Sequence, residues 1–143
     1  MIGAVGDDDN GSVSGSAYVF ERDGDGNWNE VQKLTASDGA GGDWFGSSVS
    51  ISGDYAVIGA DRDDDNGFQS GSAYIFERDG AGNWSEVQKL TAFDAAAVDQ
   101  FGFGVSISGD YAVVGAPYDD NNNGIDAGSA YVFERDGAGN WIE

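Results

Sequence analysis

Short apolar stretches alternate with polar turns along the whole chain, and within the stretches the alternation has period two. Ser48-Val49-Ser50-Ile51-Ser52 places small polar and β-branched residues on opposite sides, which predicts a strand with one buried face. Gly53-Asp54 follows as a two-residue hairpin turn. Tyr55-Ala56-Val57-Ile58-Gly59-Ala60 is the return strand, and its nearly continuous apolar run predicts cover on both faces. After a polar loop, Ser72-Ala73-Tyr74-Ile75-Phe76-Glu77-Arg78 reads as a third strand. The turn-rich Asp79-Gly80-Ala81-Gly82-Asn83 leads to a fourth, Trp84 to Thr91. There the apolar positions 84, 87 and 90 break period two. That strand carries either a bulge or a polar edge, and Glu86, Gln88 and Lys89 suit an edge that resists pairing.

The same four-strand pattern recurs. Gly-Ser-Ala-Tyr begins at Gly15, Gly71 and Gly128, and the tryptophans 28, 84 and 141 keep step with it. Sliding residues 1–56 onto 57–112 gives about 40 identities. Four antiparallel strands per repeat, joined by short turns, describe a propeller blade. The expected fold is therefore all-β: β-propeller blades of about 56 residues forming an open partial propeller. Residues 1–44 make a blade lacking its first strand, 45–100 a complete blade, and 101–143 a blade truncated in its last strand. Met1 stands where the other copies have Val57 and Val113, which suggests an interior position of a longer repeat protein. A parallel β-helix is the alternative, but the Gly53-Asp54 and Gly109-Asp110 hairpin turns argue against it. Phe45 and Phe101 are expected between neighbouring blades, and the tryptophans over blade cores or flanks.

The residues carry a recognisable pattern. Phe101-Gly102, a strand pair, then Gly115-Ala116-Pro117 resembles the FG-GAP repeat, the blade motif of integrin α-subunit propellers and many microbial surface proteins. The middle copy has Phe45-Gly46 and Gly59-Ala60 with Asp61 in the proline position, and the first keeps Gly3-Ala4. The resemblance implies a secreted or cell-surface location and an integrin-like role in adhesion. It also implies calcium, with a departure: integrin-type repeats hold it between the first two strands, where this chain has a tight Gly-Asp turn.

The charge redirects attention to the loops between the second and third strands. The chain carries 26 acids against 6 bases, a net −20, with no His and no Cys. That excludes disulfides, thiolate or imidazole metal sites and a cysteine nucleophile, and it disfavours nucleic acid as a partner. No apolar run is long enough to span a membrane. Only Lys33 and Lys89 are lysines, an Asp-rich and Lys-poor surface of the kind that tolerates concentrated salt. The loops offer Asp7 and Asp9, Asp61, Asp63 and Asp65, and Asp119, Asn121 and Asn123 as calcium ligands. Alternating oxygens followed by a glycine are what a calcium loop requires, and the Asp119 loop matches best. No glutamate closes any of them, and a solvated Asx-rich turn is the competing reading.

These features point to a non-enzymatic binding or adhesion module, contacting a protein or glycan through blade loops, with calcium as the candidate cofactor. The alternatives are a structural array without a ligand, or part of a glycan-active propeller enzyme. Residues that break the repetition, Trp44, Arg62, Phe68, Gln69 and Ile125 among them, form no nucleophile–base pair. Self-association through exposed blade edges is also expected.

Overall fold

The computed structural model describes residues 1–121 and 124–143. Eleven strands and no helix occur among the described residues, so no helix is long and apolar enough to cross a membrane. The first sheet contains β1 (Ile2–Ala4), β2 (Ser16–Arg22) and β3 (Trp28–Leu34). The second contains β4 (Ser48–Ser52), β5 (Tyr55–Ala60), β6 (Ser72–Arg78) and β7 (Trp84–Leu90). The third contains β8 (Gly104–Ser108), β9 (Tyr111–Ala116), β10 (Ser129–Arg135) and β11 (Trp141–Ile142). Every strand pairs antiparallel with its sequence neighbour inside its sheet, the meander of a propeller blade rather than the coil of a β-helix. None of the sheets closes on itself, and together they form an open partial β-propeller.

Period-two alternation distributes the core to both sides of the middle sheet. Ala56 and Ile58 of β5 join Ala17, Val19 and Leu34 of the first sheet, with Tyr74, Phe76 and Trp84. Val57 and Ile75 point the other way and pack with Val114, Tyr131, Phe133 and Trp141 of the third. Phe45 and Phe101 are buried in these two interfaces as expected, each edge-on to a Tyr and a Phe with ring centroids 5.4–6.1 Å apart. Trp84 and Trp141 are buried, whereas Trp28 is 67% exposed because no described sheet lies on its face.

The outer strands do more than resist pairing. A register shift beside Ile75 leaves Val87 unpaired, so β7 is bulged, and β3 repeats the feature at Val31. Beyond the bulge, the Gln88 carboxamide clasps the next sheet: Nε2 donates to the Trp141 carbonyl at 2.7 Å and Oε1 accepts the Trp141 N–H at 2.8 Å. Gln32 holds Trp84 in the same way. At the inner edge the glycines of the motif allow backbone-to-backbone approach. A Cβ on Gly59 would stand 2.0 Å from the Gly102 carbonyl oxygen. Gly102 itself has φ +93°, and a Cβ there would meet the Ser72 carbonyl oxygen at 2.2 Å.

Candidate functional site

The acidic loops follow β1, β5 and β9, so they lie at the same end of their sheets as the interblade linkers that lead into Phe45 and Phe101. Each loop is braced by an aspartate at the same step of the repeat. The carboxylates of Asp8, Asp64 and Asp120 accept the N–H of Val13, Gln69 and Asp126 at 2.6–2.7 Å. Those three residues have φ values of 49–56°, a left-handed conformation that costs energy at a non-glycine residue. The recurrence of the strain from sheet to sheet shows that the loop geometry is built in.

Asp63 and Asp65 of the middle loop converge differently from a calcium loop. Asp63 Oδ2 lies 2.9 Å from the Tyr74 hydroxyl and 2.9 Å from Lys89 Nζ. The same ammonium is 2.6 Å from Asp65 and 2.7 Å from Asp38, a residue of the preceding linker. Its 5.1 Å distance from the Tyr74 ring centroid adds a cation–π contact. The first loop repeats the arrangement: Asp7 Oδ2 accepts from Ser16 at 2.5 Å and Tyr18 at 2.6 Å, and Lys33 pairs with Asp7 and Asp9.

The electrostatics follow. Hydrogen bonds from Ser16, Tyr18 and Lys33 hold the Asp7 carboxyl down at about 2. Burial opposes the charge of Lys89, but its bonds to Asp38, Asp63 and Asp65 outweigh that, so its pKa stands above the ordinary range. Burial, followed by the nearby Asp63 charge, raises the Tyr74 phenol. In the linkers, burial raises the carboxyls of Asp43 and Asp99, each of which accepts a backbone N–H at 2.6 Å.

In the third loop, Asp119 is bonded to the Ser129 hydroxyl, and Asn121 Nδ2 donates to the Gly128 carbonyl at 2.9 Å. Asn123 lies outside the described residues. Tyr131 donates to Asp94 at 2.9 Å, as Tyr74 does to Asp38.

Calcium needs roughly 6–8 oxygens around one centre. Among the described residues, no set of three His, Cys, Asp or Glu is placed to hold a metal ion. The candidate ligands are therefore brought together in part only. Asp63 with Asp65, and Asp7 with Asp9, do converge, but on an internal ammonium. Asp61 is separate: it is buried, and its Oδ1 has no hydrogen-bond partner. In the first two loops the paired carboxylates thus face a lysine ammonium rather than an open centre. Sequence reasoning missed the lysines and Asp38. The available signal was that the chain's two lysines recur at the same step of the repeat, five residues after Trp28 and Trp84.

The model of the FG-GAP repeat matches residues 28–76 and 84–133, more than half of the chain. The chain belongs to the FG-GAP repeat family. Each matched segment starts on an outer strand, at Trp28 or Trp84, and ends on the third strand of the following sheet. The FG-GAP unit is thus staggered by one strand against the blade, and each match spans an interblade Phe-Gly and contains the glutamine, but not the tryptophan, of one clasp. No curated protein matches the chain.

The residues that depart from the FG-GAP repetition gather around Trp44. Its ring lies under the Arg62 guanidinium, 3.5 Å from the centroid, in a depression lined also by Phe68, Gln69 and Asp64. A second cavity, on Trp44, Ser47, Asp61, Val5 and Phe103, adjoins it. Ile125 is remote in sequence from both and is 84% exposed.

Proposed function

We propose that this FG-GAP chain is a non-enzymatic binding and adhesion module of a secreted or cell-surface β-propeller. Its contact surface is the end of the sheets that carries the acidic loops. The observation that carries the reading is the bracing of those loops: the Asp8, Asp64 and Asp120 carboxylates hold strained left-handed residues in place. A surface already rigid loses little entropy when a partner docks. Exposed Phe68 and Ile125 at the loop tips supply apolar contact points among the acids. The partner is a protein or glycan. With no His or Cys present, the loop carboxylates are the main acid–base candidates, and Asp8, Asp64 and Asp120 are engaged in bracing while Asp7, Asp9, Asp63 and Asp65 are engaged in lysine pairs.

Probing protein and glycan arrays with the chain tests this reading. Phe68→Ser with Ile125→Ser is expected to lose the captured ligand, and Asp54→Ser at the opposite end to keep it. Capture of nothing, or equal loss in both variants, would overturn the loop-end assignment and favour a purely structural array.

A further inference from the structure

The cavity beside Trp44 lies where the repetition breaks in several residues at once. Position 61 is Asp, whereas the aligned positions hold Val5 and Pro117; position 47 is Ser against Phe103; position 44 is Trp against Gln100. The three substituted residues line one cavity of about 340 Å³, closed by Val5 of the first sheet's loop and by Phe103. Phe103 is 55% exposed, so the cavity has an open aromatic lip.

Two oxygens at this cavity are unsatisfied. Asp61 is only 4% exposed, and its Oδ1 has no hydrogen-bond partner among the described residues. Ser47 Oγ is likewise buried without a partner. A buried carboxylate oxygen left unpaired is destabilising, and the aligned valine shows that the fold does not require it. Strain adds to this, since Trp44 has φ +61°. Unpaid polar groups and strain concentrated where repetition breaks mark a binding position.

The chemistry of the lining selects the ligand. A carboxylate, a hydroxyl and two aromatic rings are complementary to a cation bearing several N–H donors and an apolar stem. An ammonium donates three hydrogen bonds and accepts none, and it is attracted to aromatic faces. The net charge of −20 draws cations toward the chain. Arg62 lines the neighbouring depression, where its guanidinium stacks on Trp44 at 3.5 Å from the ring centroid, and it does not line this cavity, whose other ring is Phe103. We propose that the Asp61–Ser47–Trp44 cavity binds an alkylammonium group, from a small amine or from a lysine side chain of a partner. This inference rests on the loop-end binding reading and gives that surface a ligand class.

The test is titration of the whole chain with n-butylammonium at roughly 0.15 M salt, where long-range attraction is screened. Calorimetry and the Trp44 indole NMR resonance report binding, with n-butanol as the neutral control. Saturable ammonium binding is expected, without butanol binding. Asp61→Val, which restores the residue of the first repeat, should weaken it by at least about tenfold while raising the melting temperature. Trp44→Gln, the third repeat's residue, should weaken binding as well. A lysine-containing peptide that binds much tighter than n-butylammonium assigns the group to a protein partner; equal affinity assigns it to a small amine. Absence of saturable binding, or unchanged affinity in both Asp61→Val and the shape-conserving Asp61→Asn, overturns the proposal. If array capture by the loop end persists in that case, only the ammonium assignment fails.

Discussion

Lys89 Nζ, on the outer strand β7, sits 2.9 Å from Asp63 Oδ2 in the acidic loop between β5 and β6. Asp63 is 4% exposed on its side chain and Lys89 20%, so water screens this pair far less than a surface ion pair. Removing the ammonium strands three carboxylates at once. Lys89→Met is expected to lower unfolding free energy by roughly 3 kcal/mol in denaturant melts and to make the protein respond to calcium. Lys33→Met, whose pair is one-third exposed, should cost about 1 kcal/mol or less.

The glycines of the Gly-Ala step give a sharp contrast between blades. A Cβ on Gly59 would collide with the Gly102 carbonyl oxygen at 2.0 Å, while one on the aligned Gly115 would stand 3.6 Å from the nearest atom. Gly59→Ala should destabilise by about 2 kcal/mol or more, and Gly115→Ala should change stability by less than about 1 kcal/mol. Equilibrium unfolding of both variants checks this.

The Gln88–Trp141 clasp makes two bonds of 2.7 and 2.8 Å across the blade interface. Gln88→Ala leaves both backbone groups of Trp141 unsatisfied and is expected to cost roughly 2 kcal/mol. Hydrogen exchange at the Trp141 amide should accelerate in the variant.

Much of this was legible in the sequence. Strands 48–52, 55–60 and 72–78 follow directly from period-two patterning, and the Phe-Gly and Gly-Ala steps identified the family. The outer strand posed a choice between bulge and edge, and the structure realises both, because Val87 is extruded while Gln88 turns to the next blade. The loops were read from their acids alone. Asp38 and Lys89 stand 25 and 24 residues, respectively, from Asp63 and Asp65. Contacts at that range depend on how strands pair within the blade, for Lys89 with Asp63 and Asp65, and on how the preceding linker is placed, for Asp38, neither of which local patterning reports.

Blade stacking also sharpens the expected self-association. Val57 and Ile75 are fully buried against the third sheet, whereas the aligned Val113 and Val132 are 40% and 54% exposed. At the other end Ile2 and Trp28 are exposed, whereas the aligned Ile58 and Trp84 are buried against the first sheet. These two open faces repeat the two sides of an interface used twice within the chain, so a contact through the faces is expected beside the one through the edges. The 143-residue chain is expected to associate head to tail in sedimentation velocity. Val132→Lys or Trp28→Lys should each restore a monomer.

Acid stability follows from Asp7. Its carboxyl is held at about 2 against an ordinary 3.8, so its contribution is present above the ordinary value and is lost as pH falls from there toward 2. Asp23, Asp38, Asp79 and Asp136 are shifted in the same direction. Asp43 and Asp99, raised by burial, work against this by relieving a cost as they protonate. Lys89 and Tyr74, both raised, contribute stability below their ordinary values that is lost at alkaline pH. A melting profile against pH should therefore fall at both ends, and Asp7→Asn should flatten its acid limb.

The sharpest claim is that Lys33 and Lys89 close the first two acidic loops and preform that part of the proposed contact surface. Thermal melting of the whole chain in calcium and in chelator tests it most directly. Coincident transitions are expected, with calcium sensitivity appearing only when Lys89 is replaced by Met. A rise on the order of 3 °C or more for the unmodified chain at millimolar calcium would contradict it.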